Sequence, residues 1–358
     1  MREIQYKTFS FRAHQNNWLS KKPSVCEFEL TFKCALHCRH CYSDCYNKIQ
    51  YLRKELNTQE VKIILDKLYK RGVLWLCFTG GDPLAREDFL EIYSYAKEKG
   101  FIITIFTSGY YINEKMVRYL KQSPPFVIEL TLNAINKKLY ERISQVKDSF
   151  LRVKQAIKLI LKAKLPLKIK TQVTQDNLKE IPKIKSFLKR LGLKFISSYI
   201  LYPRLNGDLT PCNLRVLPEE ILRLNQRHKN LSFCEYHLEK ETNDRISKIK
   251  YRKLNPKLFF CAVGGGDGFR IDPYGNIFLC SLIRDYKFNL LKVDIDYALN
   301  KLLPFFRKRR FLTESACRYC PSKEFCGWCP GRAYLEKADM ELPIEYYCRL
   351  AELLKNEI

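Results

Sequence analysis

Three closely spaced cysteines near the start of the chain have the residue type and spacing of a metal-binding loop. In TFKCALHCRHCYSDC, Cys34, Cys38 and Cys41 are separated by three and two residues, and Cys45 follows. A cubane [4Fe-4S] cluster takes one thiolate at each of its four irons, so three thiolates on one loop leave one iron open. An open iron can bind a substrate or a cofactor. The alternative is a zinc site that adds Cys45 or a histidine as its fourth ligand.

A Gly-Gly turn is the second candidate feature. It reads Gly80-Gly81-Asp82-Pro83 and follows the hydrophobic run VLWLCFT. Glycine lets the main chain approach a ligand closely, and proline fixes the shape of a turn. The turn is therefore expected to lie at the end of a strand and to contact a bound molecule through its backbone.

A second group of cysteines lies in the C-terminal part of the chain. Four of them have the spacing Cys-x2-Cys-x5-Cys-x2-Cys, which suits a zinc ribbon, and the basic charge of the chain would then indicate a nucleic-acid binder. That interpretation leaves three cysteines of this region unexplained. The region also shows few long periodic segments, so we expect it to need metals in order to fold. The cysteines are Cys261, Cys280, Cys317, Cys320, Cys326, Cys329 and Cys348.

Composition limits the classes of protein to consider. The chain has 358 residues, 15 cysteines and a formal net charge of +26. It contains no apolar run long enough to span a membrane and no signal peptide, so we expect a cytoplasmic protein without a membrane partner. In that reducing compartment, metal ligation is a better use for the cysteines than disulfides. The basic residues recur along the whole chain, which favours a solvated surface or an acidic partner over a dedicated nucleic-acid face.

Alternating strands and helices are predicted to position the first two motifs. A helix is expected after Asn57, where Glu60 completes a capping box, and to end at Gly72. A complete eight-stranded barrel needs about 250 residues and only about 180 are available, so we predict an open, partial (βα)6 barrel of the TIM type. Function is expected at the carboxyl ends of its strands. The six predicted strands are 25–32, 73–79, 101–107, 126–132, 167–173 and 193–201.

Four segments are predicted along the chain. An N-terminal extension covers 1–24 and the partial barrel covers 25–205. A connection at 206–258 includes a helix at PEEILRLNQRHKN, and a small cysteine-rich domain occupies 259–358. Within this last segment IDPYGNIFLC has the pattern of a hairpin with Tyr274-Gly275-Asn276 as its turn.

The cysteine triplet and the Gly-Gly turn together resemble the radical S-adenosylmethionine (SAM) superfamily. Its signature is Cys-x3-Cys-x-aromatic-Cys after the first barrel strand, with a Gly-Gly-Glu-Pro turn after the second. The resemblance implies that the Cys34, Cys38 and Cys41 cluster binds SAM and cleaves it to a 5'-deoxyadenosyl radical, which abstracts a hydrogen from substrate. Two departures are that His40 fills the aromatic position and that Asp82 replaces glutamate.

Further SAM contacts follow from the same resemblance. An arginine that the family often has after the fourth strand is out of register, because Arg142 is two positions early and Ser144 stands in its place. The partner of the SAM carboxylate therefore stays open, as does the catalytic base. The implied SAM-binding residues are His40, Tyr42, Gly80, Gly81, Asp82, Pro83, Thr107, Ser108, Thr131 and Asn133.

The seven C-terminal cysteines resemble a SPASM domain, which holds two auxiliary [4Fe-4S] clusters, so three clusters are implied in all. Some relatives have an additional cysteine where Asn255 stands, which leaves an open iron in the inner cluster unless Cys212 or Cys234 reaches it. Cys26, Cys45 and Cys77 are expected to be packing residues. The implied ligands are Cys317, Cys320, Cys326 and Cys348 for the outer cluster and Cys261, Cys280 and Cys329 for the inner one.

The resemblance also indicates partners and a substrate class. SPASM enzymes mostly modify peptides or proteins, so the leading hypothesis is maturation of a ribosomally made peptide or a protein by crosslinking, epimerisation or oxidation. The basic charge favours an acidic substrate. An electron donor such as flavodoxin or ferredoxin is implied. The alternatives are oxidation of a tetrapyrrole or another small molecule, and, from another class, a zinc-dependent nucleic-acid-binding protein. Formylglycine-forming relatives often have aspartate where this chain has Ser281, so formylglycine formation is a less favoured hypothesis.

Overall fold

The computed structural model describes residues 5–20, 22–227, 257–259, 261 and 268–356. Nine strands form one sheet: β1 Val25–Thr31, β2 Trp75–Gly80, β3 Ile102–Thr107, β4 Val127–Thr131, β5 Leu167–Gln172, β6 Lys194–Ser198, β7 Gly268–Ile271, β8 Asn276–Phe278 and β9 Phe288–Asn289. The helices are α1 Tyr6–Ser20, α2 Ile49–Leu52, α3 Thr58–Lys70, α4 Phe89–Glu98, α5 Glu114–Gln122, α6 Lys137–Ser144, α7 Ser149–Lys162, α8 Ile181–Arg190, α9 Pro218–Arg227, α10 Ile295–Lys308, α11 Ala316–Tyr319, α12 Pro330–Lys337 and α13 Glu345–Lys355.

The sheet confirms the α/β class and the six predicted barrel strands. Its order is β6-β5-β4-β3-β2-β1-β7-β8-β9, and the strands from β1 to β6 pair in parallel. Helices lie between them and cover the outer face, with fully buried side chains such as Phe28, Phe78 and Tyr93 in the layer between sheet and helices. Because parallel strands all end at the same edge, the loops after β1 to β6 converge at one rim.

Local signals set the ends of the barrel helices as predicted. At the start of α3 the Asn57 side chain accepts from the Glu60 amide at 3.0 Å, and the Glu60 carboxylate accepts from the Asn57 amide at 2.9 Å. This is a complete capping box. Gly72 follows the last turn with φ of +78°, a conformation that favours glycine.

The C-terminal hairpin extends the barrel sheet, which the sequence did not indicate. β7 pairs in parallel with β1, and β8 and β9 follow antiparallel to it. Gly275 in the predicted turn has φ of +79°. The predicted boundary at residue 259 stays a prediction, but the residues on its two sides share one continuous sheet.

Two helices of the C-terminal region were not predicted from the sequence, which shows few long periodic segments there. α10 has 14 residues and buries one face, including Leu299, Leu302 and Phe306. Pro304 lies inside it and interrupts the run of helix-forming residues, which hid the period in the sequence. α13, with 11 residues, buries Tyr347 and Leu350.

The N-terminal extension contains a helix that the sequence pattern did not predict. In α1 the Tyr6 hydroxyl accepts from the Trp75 indole at 2.9 Å, and the His14 ring stacks on Trp75 at 4.2 Å. Tyr6 also packs on Phe126 at 4.7 Å. Trp75 begins β2 and Phe126 precedes β4, so α1 lies at the end of the barrel opposite the loop rim. None of the helices in the described ranges is long and apolar enough to cross a membrane.

A buried ion pair joins the cysteine-rich region to the first barrel strand. The Arg284 guanidinium donates to both Glu29 oxygens at 2.6 and 2.7 Å, and Glu29 is 4% exposed. We expect Arg284→Gln to lower the free energy of unfolding by about 3–5 kcal/mol, because it leaves a buried carboxylate without its counter-ion. Urea unfolding followed by circular dichroism measures this change. As a control, Lys62→Gln removes a pair with the more exposed Glu91 and should cost about 0–1 kcal/mol. Equal costs for the two variants would contradict the prediction.

Candidate functional site

The cysteine triplet lies on an irregular loop directly after β1, as predicted. The Asn47 side chain accepts from the Cys34 amide at 3.3 Å and donates to the Cys34 carbonyl at 2.9 Å, which ties the two ends of the loop together. Within the loop the Cys41 amide donates to the Cys38 carbonyl at 2.9 Å. The Leu36 amide points to the Cys34 sulfur at 3.4 Å. The role of Asn47 was missed because its distance along the chain matches no local motif.

The three thiols fit an iron-sulfur cluster as a donor set. None of them is in a disulfide, and burial raises the pKa of Cys34, Cys38 and Cys41. A thiol must lose its proton to bind a metal, so cluster binding is expected to release protons.

A zinc ion and a cubane cluster need different arrangements of ligands. A structural zinc site brings four ligands to one ion, whereas the ligands of a cubane bind separate irons. In the ranges that the structure describes, no three histidine, cysteine or acidic side chains converge on one ion position.

The Gly-Gly turn packs directly on the cysteine loop. The Gly81 amide donates to the Thr31 carbonyl at 2.7 Å, and the Asp82 amide donates to the Lys33 carbonyl at 2.9 Å. A Cβ at Gly81 would lie 2.4 Å from the Phe32 carbonyl oxygen, and one at Gly80 would lie 2.2 Å from that of Thr31. The backbone that approaches these glycines is thus the protein's own, and the turn and the loop form one unit.

Asp82 anchors this unit to the end of β3. Its carboxylate accepts from the Thr107 hydroxyl at 2.9 Å, from the Ser108 amide at 3.0 Å and from the Leu84 amide at 3.1 Å. The Ser108 hydroxyl donates to it as well. Burial raises the pKa of Asp82, and the hydrogen bonds from Ser108 and Thr107 oppose that rise. The hydroxyls of Thr107 and Ser108, predicted to face SAM, thus hold Asp82 in place.

Two predicted contact residues at the end of β4 differ in their surroundings. The Asn133 side-chain oxygen accepts from the Gln172 amide at 2.9 Å, and the Asn133 carbonyl accepts from the Asn177 side chain at 2.8 Å. Asn133 is 3% exposed and ties β4 to β5. Thr131 is the last residue of β4 and is partly exposed at the loop rim. Pro83 is buried at the start of a short 3-10 turn.

His40 and Tyr42 flank Cys41 and are partly buried. The Nδ1 atom of His40 is buried and has no hydrogen-bond partner, and burial lowers the pKa of His40 to about 4. Buried polar atoms are rarely left unpaired, so this atom suits a site that gains a ligand. The Tyr42 ring meets the edge of Tyr202 at 6.2 Å.

A cavity of about 540 Å³ opens beside the cysteine loop. His37, Arg39 and Asp44 line it from the loop, and Asp176 and Arg204 line it from the connections after β5 and β6. Arg39 pairs with Asp176 at 2.6 Å. Ion pairs thus hold the loop against the far side of the rim, a contact that sequence reasoning missed.

Arg142 and Ser144, which lie at or near the position of the family's arginine, both contact other residues of this chain. Arg142 pairs with Asp176 at 3.4 Å and its side chain is 58% exposed. Ser144 is buried, and its hydroxyl lies 2.8 Å from that of Ser149.

Four of the C-terminal thiols interact electrostatically with one another. Burial raises the pKa of Cys317 to about 12, and the thiols of Cys348, Cys326 and Cys320 raise it further. Burial likewise raises the pKa of Cys326 to about 11, with Cys348 and Cys320 again among the causes. Residues that lie apart in the sequence therefore meet between α11 and α13.

Cys329 belongs to a different group. Burial raises the pKa of Cys280, and the Cys329 thiol is the next cause of that rise. A zinc ribbon would instead join Cys329 to Cys326 and the two cysteines before it. Cys261 is partly buried against the same core.

The remaining cysteines have separate surroundings. Cys212 has Arg215, Glu336 and Asp208 as its charged neighbours. Cys26, Cys45 and Cys77 are buried, as predicted for packing residues. Cys234 and Asn255 lie outside the described residues.

Charged pairs line the inner face of the barrel, which the sequence did not indicate. Glu27 pairs with Arg270 at 2.8 Å, and Glu129 pairs with Lys170 at 2.6 Å. Acidic residues at alternate positions of an otherwise hydrophobic strand were the available signal, since alternate residues share a face. The interior therefore suits a polar or charged molecule.

A family model described as Radical SAM superfamily matches residues 28–188. The AdoMet-dependent heme synthase of Methanosarcina barkeri is 25% identical over 343 residues, which cover 92% of this chain and 97% of that protein. The PqqA peptide cyclase of Granulibacter bethesdensis is 29% identical over 164 residues, but these cover 46% of this chain and 43% of that protein.

Two groups of solved structures share the fold. Streptococcus suis SuiB bound to S-adenosylmethionine has a TM-score of 0.65 at 17% identity, and the match covers 97% of this chain and 84% of that one. Native anSMEcpe with bound AdoMet and Cp18Cys peptide has a TM-score of 0.65 at 17% identity, over 93% of this chain and 96% of that one. At these identities the likeness shows the fold alone.

Proposed function

We propose that this chain, an enzyme whose residues 28–188 match the radical SAM superfamily, abstracts a hydrogen atom from a peptide or protein substrate. The observation behind this proposal is the unit built from the cysteine loop and the Gly-Gly turn. Cys34, Cys38 and Cys41 would hold a [4Fe-4S] cluster with one open iron. When bound, the cluster and SAM supply the 5'-deoxyadenosyl radical.

The protein's part is to fix and enclose the reacting groups. Asp82 holds the Gly-Gly turn to β3, and Asn47 holds the cysteine loop closed, so both are preorganised before SAM binds. The C-terminal thiols would hold two auxiliary clusters, the outer one on the four-thiol group and the inner one on Cys261, Cys280 and Cys329.

The peptide assignment has two supports. SuiB bound to the precursor peptide SuiA and anSMEcpe bound to the Cp18Cys peptide share the fold over nearly the whole chain. The net charge of +26 favours an acidic peptide segment. An electron donor such as flavodoxin or ferredoxin is part of the proposal. So is a cytoplasmic location, since free thiols are kept reduced there.

A tetrapyrrole is the second candidate substrate, and one observation favours it. The heme synthase of M. barkeri matches over 97% of its length, whereas the peptide cyclase matches over 43%. Carboxylate side chains on such a substrate would also suit a basic protein.

The test compares both substrate classes on anaerobically reconstituted protein with dithionite and SAM. We expect about twelve irons per chain, four per cluster, and 5'-deoxyadenosine formation that increases with acidic candidate peptides. A matching increase with an iron tetrapyrrole instead would transfer the assignment to the second candidate. A colourless protein that binds zinc would refute both.

Salt dependence tests the electrostatic part separately. We expect the affinity for an acidic peptide to fall as NaCl is raised, because salt screens attraction between exposed charges. Fluorescence anisotropy of a labelled peptide measures this, with a neutral peptide of the same length as control. Equal salt dependence for the two peptides would contradict an acidic substrate.

A further inference from the structure

The first turn of α12 lies against the thiols assigned to the inner cluster. Cys329 is the N-cap of this helix, and its carbonyl accepts from the Arg332 amide at 3.1 Å. A Cβ added at Gly331 would lie 3.0 Å from the Cys280 sulfur, so the helix start is packed against Cys280. The positive end of the helix dipole therefore faces both cysteines.

Arg332, in the same turn, is a buried cation. It is 9% exposed, and its guanidinium lies 5.5 Å from the Tyr202 ring and 5.4 Å from the Tyr347 ring. Its Nε atom is buried without a hydrogen-bond partner. Burial lowers the pKa of Arg332, whereas the Cys329 thiol, then the Tyr202 and Tyr347 phenols and a hydrogen bond with Tyr202, raise it. A Cβ added at Gly327, the residue after Cys326, would lie 3.5 Å from the Arg332 Nη1 atom. Over the described ranges, no carboxylate forms an ion pair with Arg332.

Arg215, a second buried arginine nearby, is paired with a carboxylate, as buried arginines usually are. Arg215 donates to both oxygens of Glu336 at 3.0 and 2.6 Å, and Glu336 lies one turn after Arg332 on α12. A buried charge costs several kcal/mol unless it is paired. Arg215 is neutralised by a carboxylate, whereas the acidic groups next to Arg332 are the Cys329 and Cys326 thiols and the phenols of Tyr202 and Tyr347.

We propose that Arg332 is a positioning residue that raises the reduction potential of the inner auxiliary cluster, which suits that cluster to accept an electron. The proposal rests on the proposed function, which assigns the cluster to Cys261, Cys280 and Cys329. A cluster that gains one electron gains one negative charge. A fixed cation nearby stabilises that reduced form, and burial strengthens the effect.

A redox titration followed by electron paramagnetic resonance tests this proposal, with dithionite as the electron source. In Arg332→Gln we expect the equilibrium constant for one-electron reduction of one auxiliary cluster to fall at least tenfold, which is about 59 mV for a one-electron couple. Arg332→Lys keeps the charge and should restore most of the potential. The SAM cluster, recognised by the change in its signal when SAM is added, should keep its potential in every variant.

Arg318→Gln is the matched control. Arg318 follows Cys317 in the sequence, but it pairs at 3.1 Å with Glu314, whose side chain is 81% exposed. Solvent and the carboxylate compensate its charge, so its removal should change the same equilibrium constant less than about fivefold.

Iron content separates the outcomes. With about twelve irons per chain and unchanged potentials in Arg332→Gln, the proposal is overturned while the proposed function stands. About four irons per chain in the unmodified protein would overturn this proposal and the assignment of the auxiliary clusters, whereas the SAM cluster of the proposed function would stand. If Arg332→Gln does not retain the inner cluster, the iron content of Arg332→Lys decides. Retention of the cluster in Arg332→Lys supports a requirement for positive charge at this position, and loss of the cluster refutes that requirement.

Discussion

Replacement of Cys38 by alanine is expected to abolish the formation of 5'-deoxyadenosine from SAM. Cys38 lies in the middle of the triplet, and the loop offers no other thiol at its position. With two thiolates the first cluster loses a required ligand, so the iron content should fall by about four atoms per chain. Chromatography of the reaction with dithionite and SAM measures the product, and a colorimetric assay measures the iron.

Cys45→Ala is the control for this variant. Cys45 is on the same segment and is buried, but we assign it to packing. It should retain both the iron content and the product. Continued SAM cleavage by Cys38→Ala would show that the triplet does not hold the first cluster. Loss of cleavage in Cys45→Ala would show that four cysteines, rather than three, are needed.

Gly81→Ala is expected to disrupt the same centre without the removal of any ligand. The new Cβ would lie 2.4 Å from the Phe32 carbonyl oxygen and 2.6 Å from that of Lys33. Both atoms belong to the backbone, so the cysteine loop and the turn must separate. Overpacking of this kind costs about 1–3 kcal/mol, and a displacement of about 1 Å can slow a reaction about 100-fold. We therefore expect SAM cleavage to fall about 100-fold.

Gly100→Ala is the control that distinguishes a loss of stability from a displacement of the cysteine loop. Gly100 has φ of +85° and open space around it, so alanine costs about 1–2 kcal/mol for its backbone conformation but displaces nothing. Thermal unfolding should show similar losses for the two variants, while cleavage falls in Gly81→Ala alone. Equal activity in both variants would contradict the close approach at Gly81.

Local features of this chain were predictable because their causes lie within a few residues. The capping box at Asn57 and Glu60 and the stop at Gly72 depend on neighbours three or four positions away, and the structure confirms them. By contrast, α10 was not predicted, because Pro304 obscures the local hydrophobic pattern of this helix.

The candidate site likewise has features that the sequence predicted and contacts that it did not. The sequence indicated that Asp82 lies in a turn. It did not indicate that the Asp82 carboxylate accepts hydrogen bonds from Ser108. The same limit applied to the Gly81 contact, since the neighbours of that glycine belong to the loop after β1.

The sequence by itself determined how many thiols each region offers and at what spacing, since ligand number is a property of residue type. It also determined the series of six strands and their helices, because hydrophobic period and caps act locally. Only the tertiary structure decided that Gly81 packs on the backbone of Thr31 and Phe32. It also decided that Glu29 meets Arg284 across 255 positions. Such contacts arise when the sheet closes and the chain folds back, and no local pattern specifies them.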